Sequence, residues 1–191
     1  VRGVNSNRGT AGLIGPANNY DFYADGSGTN YGPFTGTHDS LVPIGATFTV
    51  GDIVVDVEIV ETNGISSTIS QVATSSQANQ PAVLGVVCRE PMALTNIQPA
   101  VYIQGFDPVT GQPIMKPSYA TACQTYDFMP VNSVGEGQIN VCGEGGNINA
   151  GDLIVTSSMA GKGMKQGDDI VRSITVAKAR ESVIFLSLIH I

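Results

Sequence analysis

Apolar and polar residues alternate along several short stretches of the chain, with the period of two that is typical of β-strands. The clearest stretch is residues 46–60, ATFTVGDIVVDVEIV, which a Gly51-Asp52 turn signal interrupts. It predicts a β-hairpin, or two strands that meet at a corner. Residues 82–88 form a continuous apolar run that is rich in β-branched side chains, which favours a buried strand over a helix.

The same pattern continues towards the C-terminus. A turn signal at residues 62–64 precedes a Ser/Thr-rich strand candidate at 65–74, and alternation bounded by glycines resumes from 129 to 185. Residues 171–185 could be argued as helix, but their β-branched side chains favour a strand. We therefore predict an all-β fold, an antiparallel β-sandwich or a barrel-like domain. Its protomer core is expected from four apolar strands, at residues 46–60, 82–88, 139–142 and 153–156.

A short internal echo links two parts of the chain. Gly51–Val55 reads GDIVV and Gly151–Val155 reads GDLIV, which indicates two related β-units. In each copy an aspartate, Asp52 or Asp152, directly follows the glycine of a turn signal. A carboxylate in that position can accept backbone N–H groups that the turn leaves free, so both residues are predicted to be structural.

Composition divides the chain into three parts. Residues 1–29 are Gly-rich and are predicted to be a slender shaft shared by several chains, with a flexible linker as the alternative. Residues 30–185 form the β-rich domain, and the Pro-rich segment from about 91 to 125 is predicted to be a long, exposed insertion. Residues 186–191 resemble a translated sequencing adapter, with a genuine apolar strand as the alternative.

Charge and cysteine usage exclude several function classes. Only 13% of residues are charged and the net charge is −7, so a clustered basic face for nucleic acid is not expected. No apolar run approaches the length of a membrane span. Cys88, Cys123 and Cys142 are widely spaced without a CxxC pair, which predicts reduced thiols and neither a zinc site nor a disulfide framework. No cofactor motif is found, and a phosphate-loop frame is absent around Gly161-Lys162-Gly163.

Three stretches of the chain resemble motifs of a known group of proteins. Residues 30–39, NYGPFTGTHD, are similar to the F-[ST]-G-x-H element of tail-fibre C-terminal domains. Residues 82–91 resemble a segment of the autoproteolytic intramolecular-chaperone domains of phage neck appendages. Residues 137–181, with GDLIVTSS, GKGMK and AKARE, are similar to the GDL-x-TS…G-x-MK…GKALE ending of that group. Cys88 stands where the group has Ser, and Ala177 where Gly is common, and both departures weaken a transfer of self-cleavage.

One candidate for nucleophilic chemistry pairs a cysteine with a histidine. A thiolate needs a base within hydrogen-bond reach, and Cys88 with His38 is the plausible version of such a pair in this chain. Cys88 ends an apolar run, which predicts burial. The alternative for His38 is a turn residue whose ring orients a backbone group.

A second candidate is a Ser-Lys dyad, in which Ser157 or Ser158 would lose its proton to Lys162. The intervening Met159-Ala160-Gly161 predicts a hairpin turn, which would leave Lys162 solvated and charged. A calcium site from Asp21, Asp25 and Asp39 is conceivable, but their spacing does not fit a calcium loop and Asx-turns explain them better. No metal is therefore predicted.

The resemblance implies a homotrimeric structural protein of the virion tail, assembled in the host cytoplasm, that brings fibre chains into register. Enzyme activity beyond a single self-cleavage is not expected. Partners would be further copies of the chain, other tail proteins, and a glycan or protein on the host surface. Tyr102, Phe106 and Tyr119 of the insertion are candidates for receptor contact, because aromatic residues anchor interfaces, with burial beneath the insertion as the alternative. Rival functions are a self-cleaving chaperone, a capsid decoration protein and a polysaccharide depolymerase.

Overall fold

The computed structural model describes residues 36–64 and 67–186. All of these residues belong to one compact unit of the chain. The Gly-rich segment 1–29 lies outside the described residues, and so do residues 187–191 of the predicted adapter segment. No helix in the described part of the chain is long and apolar enough to cross a membrane.

The described chain contains eleven short strands, one α-helix and three 3₁₀-helical turns. The helix, α1, spans Pro117–Thr125. The strands, in chain order, are β1 (Gly36–Pro43), β2 (Ile53–Thr62), β3 (Thr68–Thr74), β4 (Val83–Val87), β5 (Met92–Ala93), β6 (Ile103–Phe106), β7 (Pro113–Met115), β8 (Tyr126–Val134), β9 (Leu153–Thr156), β10 (Gly163–Lys165) and β11 (Ala177–Lys178). The prediction of a β-rich fold is confirmed.

Five of these strands close into a ring. The pairings run β1-β3-β2-β4-β8, and β8 pairs back with β1 along the whole length of β1. All of these neighbours are antiparallel except β1 and β3, which run parallel where Ser40 and Leu41 pair with Ser70 and Gln71. The β5 strand adds to β8 beside β4. Closure leaves fewer unpaired strand edges than an open sheet would have.

Two apolar clusters lie on opposite faces of this barrel. In a strand, successive side chains point to opposite faces, so the adjacent residues Leu41 and Val42 of β1 belong to different clusters. The cluster of Val42 fills the barrel from all five strands: Val42, Val54, Val72, Val87, Met129 and Val131. The cluster of Leu41 lies on the outer face, where the insertion covers it: Leu41, Ile69, Leu94, Val101, Tyr102, Ala122 and Phe128.

The insertion is therefore a packed part of the domain, in contrast to the predicted exposed loop. It contains β5, the β6–β7 hairpin and α1, and it buries Leu94, Val101 and Ala122. The sequence does not predict this helix, because the prolines around it indicate a loop. Pro117 occupies the first turn of α1, where its missing N–H costs no hydrogen bond.

The first half of the predicted 46–60 hairpin is also not a strand. The chain turns twice there, since Ala46 N–H donates to Pro43 O and Asp52 N–H donates to Thr49 O. Phe48 nevertheless packs against the barrel interior. Strand structure begins at Ile53, directly after the Gly51-Asp52 turn.

The C-terminal part forms a three-stranded sheet in the order β10-β9-β11. It is joined to the barrel by backbone hydrogen bonds, in which Ile53 N–H donates to Gly161 O at 2.8 Å and Gly161 N–H donates to Ser75 O at 2.9 Å. A β-carbon on Gly161 would come within 2.8 Å of the Asp52 carboxyl carbon, so only glycine permits this close approach.

Candidate functional site

His38 and Cys88 lie on opposite sides of β8. His38 is an exposed residue of β1 and pairs with Val131. Cys88 follows β4, the neighbour of β8 on its other side, and its thiol donates to Pro130 O at 3.2 Å. Two strand spacings, about 10 Å, therefore separate the two backbones. The thiol contacts a carbonyl oxygen and not an imidazole, so no Cys-His pair is formed here.

The environment of Cys88 also disfavours a thiolate. The residue is half-buried, and burial raises the pKa of its thiol, while the nearby Arg89 opposes this shift only in part. A nucleophilic cysteine needs the opposite shift, because the thiolate is the reactive form. Cys88 is thus a partly buried thiol, in agreement with the burial that the sequence predicts.

Ser157 and Lys162 lie on opposite sides of the predicted hairpin turn, and Ser157 contacts the backbone carbonyl of Lys162. The Ser157 hydroxyl is fully buried and donates to Lys162 O at 2.9 Å, and Ser157 N–H donates to the same carbonyl. Lys162 N–H donates to Met159 O, which closes the turn. The serine hydroxyl thus stabilises a hairpin, and the geometry provides no Ser-Lys dyad.

Ser158 has a different partner. Its N–H and its hydroxyl both donate to Glu144 Oε2, at 2.8 and 2.7 Å. The Ser158 hydroxyl is therefore bonded to a carboxylate and not to a lysine. Both serines considered for catalysis therefore have structural hydrogen bonds.

Asp52 and Asp152 cap two equivalent turns. Asp52 Oδ2 accepts the N–H of Thr49 at 2.8 Å, and Asp152 Oδ2 accepts the N–H of Asn149 at 2.7 Å. Hydrogen bonds from Asn149 N–H and from the Lys165 side chain lower the pKa of Asp152. Both carboxylates make the backbone hydrogen bonds expected of structural turn residues.

The calcium hypothesis can be examined only at Asp39, which lies in β1. Asp21 and Asp25 lie outside the described residues. Within residues 36–64 and 67–186, no group of three His, Cys, Asp or Glu side chains is arranged to hold a metal ion.

The three aromatic receptor-contact candidates differ in exposure. Tyr102 is only 1% exposed and Tyr119 is half-buried, and their rings pack at 5.5 Å. Phe106 is 40% exposed, on the β6–β7 hairpin, whose turn also carries Val109 at 91% exposure. Tyr102 is therefore buried, as the alternative prediction states. Phe106 is exposed and accessible to a partner.

A cleft of about 1000 Å³ lies between the barrel and the C-terminal sheet. One wall is the end of β4 and the segment 132–141, and another wall is residues 176–181, which contain β11. An ion pair between Arg180 and Glu136 joins the two walls, and both side chains are largely exposed. Sequence reasoning missed this pair, because no local pattern connects residues so far apart.

No protein-family model, no curated protein and no solved structure matches this chain.

Proposed function

We propose that this chain is a structural protein of a bacteriophage virion, the C-terminal part of a tail fibre or appendage, which works by assembling into a homotrimer. It would be assembled in the host cytoplasm and would reside in the virion tail beside other tail proteins. The motifs at residues 30–39, 82–91 and 137–181 are the basis for the class of protein. The geometry of the described residues supports self-association over catalysis.

The observation that carries the proposal is two pairs of exposed aliphatic residues on ordered backbone. Val57 and Ile59 of β2 are 53% and 64% exposed, and Ile170 and Val171 are 61% and 73% exposed. Single exposed aliphatic residues are common on protein surfaces, whereas contiguous apolar patches mark interaction sites, and each pair contributes two neighbouring residues to such a patch. A second chain could remove both pairs from water.

The loop that presents Ile170 and Val171 is held in place from beneath. The side-chain amide of Gln166, a buried residue, donates to Ile170 O at 2.7 Å and to Asp168 Oδ1 at 2.9 Å. Arg172 adds an ion pair to Asp168. Because these bonds order the backbone before any partner arrives, burying the two aliphatic side chains on association costs little further backbone entropy.

Catalysis has no comparable support. The Cys88 thiol and the Ser157 hydroxyl are both engaged with backbone carbonyl oxygens. Host attachment, the second part of the proposal, would use the β6–β7 hairpin, where Phe106 and Val109 are exposed. A glycan or a protein of the host surface is the proposed ligand of this hairpin.

Molar mass in solution, measured by light scattering over a range of protein concentrations, tests the proposal. We expect three times the protomer mass. Ile59→Asp and Ile170→Asp should each lower that mass, because a carboxylate would have to be buried in the interface. Val109→Asp, an equally polar change at an exposed hairpin turn outside the interface, is the control. A protomer mass at every concentration would reject the homotrimer.

A further inference from the structure

The C-terminal sheet repeats the arrangement of β2, β3 and β4. In the barrel, Gly51 N–H donates to Val87 O and Val87 N–H donates to Asp52 O. In the C-terminal sheet, Gly151 N–H donates to Ala179 O and Ala179 N–H donates to Asp152 O. By this pattern β9 corresponds to β2, β10 to β3 and β11 to β4.

The repeat differs in one strand position. In the barrel, the outer edge of β4 is covered by β8, where Val86 pairs with Asn132. The residue that corresponds to Val86 is Lys178, since Val86 pairs with Ile53 and Lys178 pairs with Leu153. Among the described strands, β11 pairs with β9 alone. Its outer edge, which borders the cleft, is the place where a further antiparallel strand would fit.

A second open edge lies on β2. This strand pairs with β3 up to Thr62, but β4 covers its other edge only at residues 53–55, and Asp56 N–H still donates to Ala82 O. From Val57 to Val60, no strand of the described chain pairs with that edge. All four side chains from Asp56 to Ile59 are exposed.

The two edges are complementary in charge and in size. Residues 56–59 read Asp-Val-Glu-Ile, and residues 177–180 read Ala-Lys-Ala-Arg. The two bulges of β2 lie between Asp56 and Glu58 and between Ile59 and Glu61, which leaves Glu58 and Ile59 as a regular stretch between them. An antiparallel register places Glu58 opposite Lys178 of β11, and it places Ile59 opposite the half-buried Ala177. Opposite charges and apolar pairs facing each other across two strands both stabilise a sheet.

We infer that the β2 edge of one copy, at Glu58 and Ile59, pairs with the β11 edge of a second copy, at Lys178 and Ala177. This inference rests on the proposed self-association and names the part of the interface that β2 contributes. Like charges oppose the pairing of two β2 edges or of two β11 edges, so each copy must contact its neighbour head to tail. Head-to-tail contacts close into a ring when the rotation between neighbouring copies divides a full turn, and the proposed trimer is such a ring.

Charge reversal tests the pairing. Glu58→Lys and Lys178→Glu should each raise the protein concentration needed for half-maximal association roughly tenfold, because each places like charges across the interface. The double variant Glu58→Lys/Lys178→Glu restores the attraction with reversed sign and should regain the mass of the unaltered protein. Glu90→Lys and Arg89→Glu make the same charge changes at exposed residues outside the interface and serve as matched controls.

Disulfide cross-linking tests the same pairing and does not depend on how tightly the copies associate. Glu58→Cys/Lys178→Cys, made in a chain whose natural cysteines are replaced by Ser, should form disulfide-linked oligomers on mild oxidation. The control Glu90→Cys/Lys178→Cys should not.

Three outcomes separate this inference from the proposed function. An unaltered protein that associates, with loss in both single variants and recovery in the double variant, supports the pairing. Association that both single variants leave unchanged overturns the pairing, preserves the proposed self-association, and leaves the β11 edge for a strand of a different protein. A protomer mass for the unaltered protein at all concentrations overturns both.

Discussion

Asp52 and Asp152, one hundred positions apart, make the same hydrogen bond in the same kind of turn. Each accepts the N–H of the residue three positions earlier, and each follows a glycine with positive φ, +95° at Gly51 and +98° at Gly151. The strand that follows begins directly after the aspartate in both cases. The short sequence echo therefore marks a repeated structural unit, whose two copies differ in their surroundings.

Because the surroundings differ, we expect a Gly→Ala substitution to lower the free energy of unfolding by different amounts at the two turns. Alanine at either glycine has to adopt a positive φ, which costs about 1 kcal/mol. At Gly151 the nearest atom to a new β-carbon would be Lys178 Cε at 3.9 Å, an ordinary contact. At Gly51 it would lie 2.9 Å from Asn140 Oδ1, and the Asn140 amide donates to Asp52 Oδ1.

We therefore expect Gly151→Ala to lower the free energy of unfolding by about 1 kcal/mol and Gly51→Ala by about 2 to 3 kcal/mol, since the second also disturbs a hydrogen bond. Denaturant unfolding of the two variants beside the unaltered protein measures both values. Equal losses would show that the Asn140 contact is unimportant.

The tyrosine pair of the insertion offers a second comparison. The buried Tyr102 hydroxyl has no hydrogen-bond partner among the described residues, whereas the Tyr119 hydroxyl donates to Leu94 O at 2.9 Å, with Ile97 O also in reach. Tyr102→Phe should leave stability unchanged or raise it, because it removes an unpaired polar group. Tyr119→Phe should lower the free energy of unfolding by about 1 kcal/mol. Thermal and denaturant unfolding decide, and a larger loss for Tyr102→Phe would contradict the assignment.

Alkaline pH should destabilise the domain through the same pair. Burial raises the pKa of Tyr102 and that of Tyr119 to about 12, from 10.0. Their neutral forms favour the folded state, so this contribution is complete below pH 10.0 and is lost as the pH rises towards about 12. The unfolding midpoint should fall over that interval, and less steeply in Tyr102→Phe, as a pH series of thermal melts would show.

Acid should weaken the loop that presents Ile170 and Val171. Hydrogen bonds from Arg172, Ile170 N–H and Gln166 lower the pKa of Asp168 from 3.8 to about 2. The ionised form therefore favours the folded state, and its contribution is present above pH 3.8 and is lost as the pH falls towards about 2. Asp168→Asn should flatten the decline of the unfolding midpoint over this interval. Asp169→Asn, which removes the adjacent carboxylate, is the matched control.

Cys88 should react slowly with alkylating reagents at neutral pH, because burial raises the pKa of its thiol. A variant with Cys123→Ser and Cys142→Ser isolates this thiol. Its alkylation rate in the native protein should lie below the rate in denaturant, and the rate should rise with pH later than in the denatured chain. Rapid alkylation of native Cys88 at neutral pH would contradict this prediction and would support a nucleophilic role. A shortened product in mass spectrometry would support self-cleavage.

Local features of the fold could be predicted from local sequence. The Gly51-Asp52 turn, the hairpin turn at Met159-Ala160-Gly161 and the apolar strand at 83–87 each depend on residues only a few positions apart. The short helix α1 escaped prediction, because nine residues are too few for an apolar stripe to stand out and the surrounding prolines indicated a loop.

Local sequence could not predict which of the candidate functional residues are in contact. Cysteine, histidine, serine and lysine identify possible chemistry by residue type, but chemistry needs contact. His38 and Cys88 share β8 as a neighbour and do not touch, while Arg180 and Glu136 meet across a cleft without any signal in the sequence.

The sequence by itself determined the β-rich class, the positions of the tight turns and the repeated Gly-Asp unit, because each follows from side-chain alternation or from a backbone angle that one glycine permits. The tertiary structure alone decided that five strands close into a ring, that Tyr102 is buried while Phe106 is exposed, and that no strand of the described chain pairs with one edge of β2 beyond residue 56 or with the outer edge of β11. These outcomes depend on pairings between distant residues, such as Ser40 with Met129. Which distant strands come together depends on how all the apolar faces can be buried at once, and no single stretch of the chain contains that information.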